Sequence, residues 1–183
     1  MSSALLVIDV QESFRHLPYW REDDVPAFLL AQNKLIGAAR AAGVPVVRVY
    51  HEEGDAQFSR ASGLLRPLAG SDGHADHSVT KHVHSAMIGT GLPEWLRARA
   101  IEHLIISGTR TERCCETTTR HACDLGWRID FVSEATLTFP MQHASGRVFS
   151  PAEVKERTEL VLARGFATIR SVDEVVDAFA VAA

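Results

Sequence analysis

The sequence predicts an α/β domain, a three-layer αβα sandwich around a mainly parallel sheet of about six strands. Two observations carry this reading. Short, nearly unbroken apolar runs such as Ala4–Ile8, Val46–Tyr50 and Leu104–Ile106 have the pattern of strands buried on both faces, as parallel strands are. Helix-length segments lie between the runs, opened by proline or a capping residue and closed by glycine. At 183 residues, 46% hydrophobic and 23% charged, the chain suits a single domain, 1–183, with one sizeable core.

The net charge of -4 carries no basic excess, which argues against nucleic acid or an anionic membrane as a partner. The opening MSSALLVIDVQ has no positive n-region, and its apolar run is too short for a signal peptide or a span. Three cysteines, an odd number without framework spacing, read as free thiols and point to the cytoplasm.

In chain order, the Ala4–Ile8 strand ends in Asp9-Val10-Gln11. Asp9 therefore sits at the C-terminal edge of a central strand, where open parallel sheets carry ligand sites; a turn carboxylate is the plainer alternative. Gln11 and Phe14 follow as candidate pocket-lining residues. A helix spans Asp24 to Ala42, with Pro26 in its first turn and Gly43 as its stop. Pro45 leads into Val46–Tyr50, and His51 ends that strand as Asp9 ends the first, which makes it a candidate to face the same site. Glu52 to Ser78 reads as a long polar loop, a rim or lid where substrate preference would reside.

Val79 to His84 reads as a short strand with Lys81 and Val83 on one face, His82 and His84 on the other. A lysine on a short strand of a central sheet is forced inward and then needs an anionic partner. His74, His77, His82 and His84 raise the question of a metal, but no carboxylate accompanies them at a familiar ligand spacing. No metal and no other cofactor is expected.

After a helix carrying Leu92, Pro93 and Leu96 comes the stretch around which the chain is organised, LIISGTRTERCCETTTRHACDLGW, Leu104 to Trp127. It reads as strand, tight turn, helix. Thr109 and Glu112 have capping-box spacing, which places Cys114 near the first turn. Unpaired amides and the positive end of the helix dipole there favour a thiolate, so Cys114 is a candidate nucleophile and the amides around it candidate oxyanion donors. Cys115 and Cys123 lie off that face and read as core. Trp127–Val132 reads as a strand, Ser133–Ser150 as a second long loop, and Ser150-Pro151-Ala152-Glu153 as the capping box of a helix to about Arg164. Phe166–Ile169 and a helix from Val172 to Ala180, capped by Ser171 and Glu174, complete the pattern.

Three segments, LLVIDVQESF, VTKHVHSAMIGTGL and SGTRTERCCETTTRHACDLGW, together resemble the isochorismatase-like cysteine hydrolase superfamily of Asp-Lys-Cys amidohydrolases. The most specific match is Gly108-x-x-Thr111-x-x-Cys114-x-x-x-Thr118 with Ala122 and Gly126-Trp127, beside Lys81-x-x-x-Ser85-Ala86 and Asp9-x-Gln11. The resemblance implies a Rossmann-like, isochorismatase-like sandwich, a catalytic triad of Asp9, Lys81 and Cys114, a cis peptide at Thr109–Arg110, and an oxyanion hole from the backbone amides of Arg110 and Cys114. It also implies a homo-oligomer. The expected reaction is C–N cleavage in a small amide, carbamoyl or ureido compound through a thioester on Cys114. The alternatives are an isochorismatase-type vinyl-ether hydrolase and a non-catalytic small-molecule binding domain on the same fold.

The departures are informative. Nicotinamidases of the superfamily carry an Asp-x-His metal motif after the second strand, where this chain has Tyr50-His51-Glu52-Glu53-Gly54, so a metal-bound nicotinamidase is not expected. Isochorismatases characteristically lack the cysteine, so Cys114 favours C–N chemistry. Arg110 stands where the family generally has a small or apolar residue; it either binds a substrate carboxylate or serves a surface or interface.

Overall fold

The computed structural model describes residues 2–54 and 56–182. In chain order the elements are β1 (Ser3–Ile8), α1 (Val25–Ala41), β2 (Val46–His51), β3 (His77–Lys81), α2 (Leu92–Ala98), β4 (His103–Thr109), α3 (Glu116–Asp124), β5 (Arg128–Leu137), β6 (Met141–Gln142), β7 (Val148–Phe149), α4 (Pro151–Leu162), β8 (Thr168–Ile169) and α5 (Val172–Ala182). Six strands form one sheet in the order β3-β2-β1-β4-β5-β8, and every neighbouring pair is parallel.

The layers follow from the alternation of side chains along β1. Ala4, Leu6 and Ile8 join Leu104 and Ile106 on one face, under Leu96 of α2, Ala122 of α3 and Leu162 of α4. Leu5 and Val7 join Val46 and Ile105 on the other, under Phe28, Leu35 and Ile36 of α1 and Phe179 of α5. Both faces of the strand are dry, which is why its sequence shows no polar alternation.

Gly108 permits a close approach of β4 to β1. It pairs with Ile8 across β1 and β4 at φ 133°, and a Cβ built there would stand 2.0 Å from the Ile8 carbonyl oxygen. Only a residue without a side chain fits.

Three elements differ from expectation. β3 starts and ends two to three residues earlier than the reading from Val79 to His84, because it pairs with β2 alone and its last partner is His51, opposite Lys81. His82, Val83 and His84 therefore lie beyond the ladder. β5 runs on to Leu137 through residues expected as loop: the register shifts opposite Ile106 and Gly108, and Thr136 and Leu137 then pair with Gly108 and Thr109. The rest of that loop holds the β6–β7 hairpin. The capping box at Ser150 and Glu153 is formed in both directions.

The long loop after β2 is tied to the sheet. Arg48, 1% exposed, donates from β2 to the His74 carbonyl at 3.1 Å, to Ser71 Oγ at 3.1 Å and to the Asp72 carbonyl. Nearer the site, Ser13 donates to the Leu64 carbonyl and the Glu12 carboxylate accepts the Ala69 amide. No helix among the described residues is long and apolar enough to cross a membrane.

Candidate active site

The strand order lines up four C-terminal ends: Lys81 of β3, His51 of β2, Asp9 just after β1, and the Thr109–Arg110 exit of β4. The chain runs outward from β1 through β2 to β3, then restarts at β4 on the other side, so β1 and β4 flank the switch point of the sheet. Ligand crevices of open α/β sheets form there.

Asp9 turns sharply out of β1 at φ 54°, a left-handed conformation that a non-glycine residue adopts at some cost. Its amide donates to the Val49 carbonyl at 2.8 Å. The turn directs its carboxylate inward, where Lys81 Nζ meets Oδ2 at 2.8 Å with both side chains fully buried. The contact is an ion pair by distance, and neither Asp9 carboxylate oxygen has a partner in hydrogen-bond geometry among the described residues. The lysine ammonium also reaches His51 Nδ1 at 2.9 Å and Cys114 Sγ at 3.4 Å. Asp9, Lys81 and Cys114 are thus brought together, from strand ends up to 105 positions apart in the chain.

Cys114 lies in a single wide π turn, Thr111–Cys115, that precedes α3. Thr109–Arg110 is a cis peptide. The Arg110 carbonyl accepts the amides of Arg113 and Cys115 at 3.1 and 3.2 Å and passes over that of Cys114. The capping box expected from Thr109 and Glu112 does not form: Thr109 is the last residue of β4, and the Glu112 carboxylate instead receives Arg110 at 2.7 Å and Thr138 Oγ1 at 2.6 Å.

Other influences on the Cys114 thiol oppose the thiolate that its turn position favours. Burial pushes the Cys114 thiol well above its ordinary range, the nearby Asp9 carboxylate pushes it further, and Lys81 opposes both. A thiol sealed at 7% exposure beside a carboxylate keeps its proton, and one turn of helix does not reverse that. Burial works against the Lys81 ammonium, but the Asp9 carboxylate and the Cys114 sulfur outweigh it and hold the group above the usual lysine range.

Cys114 lies at the floor of a cavity of about 250 Å³. Phe14 and Phe58 form one wall, ring edge to ring face at 5.1 Å. His51 and Arg110 line it too. The Arg110 guanidinium stacks over the Tyr19 ring at 4.6 Å from its centroid, so it belongs to the pocket wall and not to an outer surface. Gln11, expected beside them, does not line the cavity: its Nε2 donates to the His51 carbonyl at 2.9 Å and its Oε1 accepts the His51 amide at 2.8 Å. It braces the end of β2.

Residues that sequence reasoning did not single out also line the cavity, among them Tyr19, Glu53, Phe58 and Arg113, as does His84, which it weighed only for a metal. Glu53 had a signal in its spacing, since on extended chain it returns to the side of His51; its Oε1 lies 2.6 Å from His51 Nε2. The four histidines weighed for a metal part company. His74 faces Asp76, His77 stacks on Trp95, His82 meets the Glu52 carbonyl, and His84 Nδ1 lies 3.8 Å from Cys114 Sγ. No group of three histidine, cysteine or acidic side chains is arranged to hold a metal ion among the described residues.

The protein is thus a doubly wound α/β domain with a small cavity at the switch point of its parallel sheet and a buried acid, amine and thiol beneath it. The chain belongs to the isochorismatase family: the model of the isochorismatase domain matches residues 3–152. It is 30% identical to nicotinamidase 3 of Arabidopsis thaliana over 94% of this chain and 86% of that protein. It is 28% identical to an uncharacterized isochorismatase family protein of Bacillus subtilis over 96% of this chain and 95% of that one. The crystal structure of a cysteine hydrolase from Pseudomonas syringae superposes with a TM-score of 0.90 at 24% identity, covering 99% of this chain and 93% of that chain, and shows the shared fold. The chain is accordingly a hydrolase of this family.

Proposed function

We propose that this hydrolase cleaves a C–N bond of a small amide, carbamoyl or ureido compound, with Asp9, Lys81 and Cys114 as its catalytic residues. The observation that carries the reading is the buried contact of Lys81 Nζ with Asp9 Oδ2 at 2.8 Å and with Cys114 Sγ at 3.4 Å. A buried ion pair packed against a thiol adds little to a core, because removing two charges from water costs as much as their attraction returns. As chemistry the arrangement is useful.

Asp9 takes the proton of the Cys114 thiol as sulfur adds to the substrate carbonyl, and Lys81 holds the developing thiolate. The amides of Arg110 and Cys114 receive the oxyanion. Asp9 returns the proton to the leaving nitrogen, the C–N bond breaks, and ammonia or an amine departs. Asp9 then deprotonates the water that attacks the thioester, which yields the carboxylic or carbamic acid and restores the thiol. Phe14 and Arg110 contact the substrate in a cavity of about 250 Å³ that His51 also lines, and that volume sets the scale of what fits. The likeness to a protein named nicotinamidase supports an amide carbonyl as the group attacked.

The test is ammonia release from a panel of small amides, carbamoyl and ureido compounds, with intact mass followed for an acyl adduct. Release that vanishes in Cys114→Ala and persists with chelator is expected. Release that survives Cys114→Ala overturns the nucleophile.

A further inference from the structure

We propose that His51 and Glu53 are positioning residues: Glu53 fixes the tautomer of His51 so that Nδ1 serves as the third acceptor of the Lys81 ammonium. The proposal rests on the reading of Asp9, Lys81 and Cys114 as the catalytic residues and adds two groups that act through the lysine.

An ammonium has three hydrogens and no lone pair. Around Lys81 Nζ stand three acceptors, Asp9 Oδ2 at 2.8 Å, His51 Nδ1 at 2.9 Å and Cys114 Sγ at 3.4 Å. The ammonium meets His51 Nδ1 and Cys114 Sγ in hydrogen-bond geometry with Asp9 Oδ2 at ion-pair distance, and these contacts together constrain its rotation and the hydrogen that points at sulfur. For His51 to accept at Nδ1, that nitrogen must be bare, and the ring proton must sit on Nε2. Glu53 Oε1 lies 2.6 Å from Nε2 and holds the proton there. The backbone of His51 is clamped on both sides by the Gln11 side chain, and its ring is 6% exposed against the edge of Phe58. The imidazole therefore has little freedom to flip.

The charged and titratable groups facing this ring come from three directions: Lys81 at the end of β3, Glu53 on the segment after β2, and His84 on the segment after β3, which also lines the cavity. A second proton on His51 would place an Nδ1–H against the Lys81 ammonium, cation to cation. Lys81 would lose its third acceptor, and the hydrogen aimed at Cys114 would lose its direction.

Asparagine tests the role closely, because its Oδ1 can stand near the place of Nδ1 and does not titrate. Leucine keeps bulk and removes the acceptor. With the fastest amide of the panel as substrate, His51→Leu is expected to lower kcat about 100-fold with KM nearly unchanged, the signature of misplaced machinery. His51→Asn is expected to keep kcat within about tenfold of the parent. Nitrogen-15 NMR of the histidine rings needs no substrate and decides the tautomer: Nε2 protonated and Nδ1 bare in the parent, with a mixed ring in Glu53→Ala. A protonated Nδ1 in the parent, or a His51→Leu enzyme with unaltered kcat, overturns the proposal. If the whole panel is silent, the amidohydrolase reading has failed, and the ring spectra still decide whether His51 accepts from Lys81.

Discussion

Lys81 Nζ and Asp9 Oδ2 meet at 2.8 Å with neither side chain exposed to solvent, at the ends of two strands separated in the sheet by β2. Each charge is tolerable in that interior because the other is present. Lys81→Met should therefore do two things at once: abolish turnover and strand the Asp9 carboxylate. Removing one partner of a buried pair costs about 3–5 kcal/mol. Cys114→Ala should abolish turnover with a change in stability within about 1 kcal/mol, since it removes only a small thiol. Urea unfolding of the two variants beside their ammonia release checks the contrast, and equal stabilities would show that the pair is not electrostatically mutual.

Gly108→Ala should be among the most damaging single-methyl changes in the chain. The added carbon would lie 2.0 Å from the Ile8 carbonyl oxygen, on a backbone at φ 133°. Overpacking and an unfavourable φ together cost about 3 kcal/mol or more, and both β1 and β4 carry the site on their ends. The expected result is a variant that unfolds at lower urea and has lost activity; a variant of parental stability would mean that the two strands separate easily.

Glu153 gives a stability signal well away from the site. Its carboxylate accepts the Ser150 amide, then the Ser150 hydroxyl, then Arg147, and these hold it down at about 2. A group whose folded value lies below its unfolded one contributes stability that is complete above the ordinary carboxylate range and is lost as pH falls toward the folded value. The support Glu153 gives the start of α4 should thus decline as pH falls from the ordinary carboxylate range toward about 2. Carboxyl carbon NMR of Glu153 across that window checks it, and a midpoint in the ordinary range would show the capping box to be open in solution.

Much of the sheet was legible because its cause is local. Runs such as Ala4–Ile8 must shed water on both faces, and that is written in consecutive residues. Asp9, Lys81 and Cys114 were legible as strand-end or turn positions carrying reactive groups. The cavity wall was not, since Tyr19, Phe58 and His84 lie outside the strands, on segments placed by contacts between residues far apart in sequence, as Phe58 is against Phe14 and Tyr19 against Phe139. The end of β3 was misjudged for a related reason: a strand stops where its partner stops, and the partner of Lys81 is decided by sheet order. The state of the Cys114 thiol depends on burial and on Asp9, neither of which a first-turn position reveals.

That thiol gives the last prediction. Burial and then Asp9 raise Cys114, so at neutral pH it rests protonated, and iodoacetamide should modify it slowly, with the rate rising as pH climbs through the alkaline range. The same sign governs stability: a folded value above the unfolded one contributes stability that is complete below the ordinary thiol range and declines as pH rises beyond it. Cys115, fully buried and raised further by its surroundings, should remain unmodified until the chain unfolds. Peptide-resolved mass spectrometry separates these residues. Lys81→Met removes the one group that opposes the other two at Cys114, so it should slow modification further at every pH. Rapid, pH-independent labelling of Cys114 below neutrality would instead establish a resting thiolate–ammonium pair, with Asp9 left to act on water and the leaving nitrogen alone.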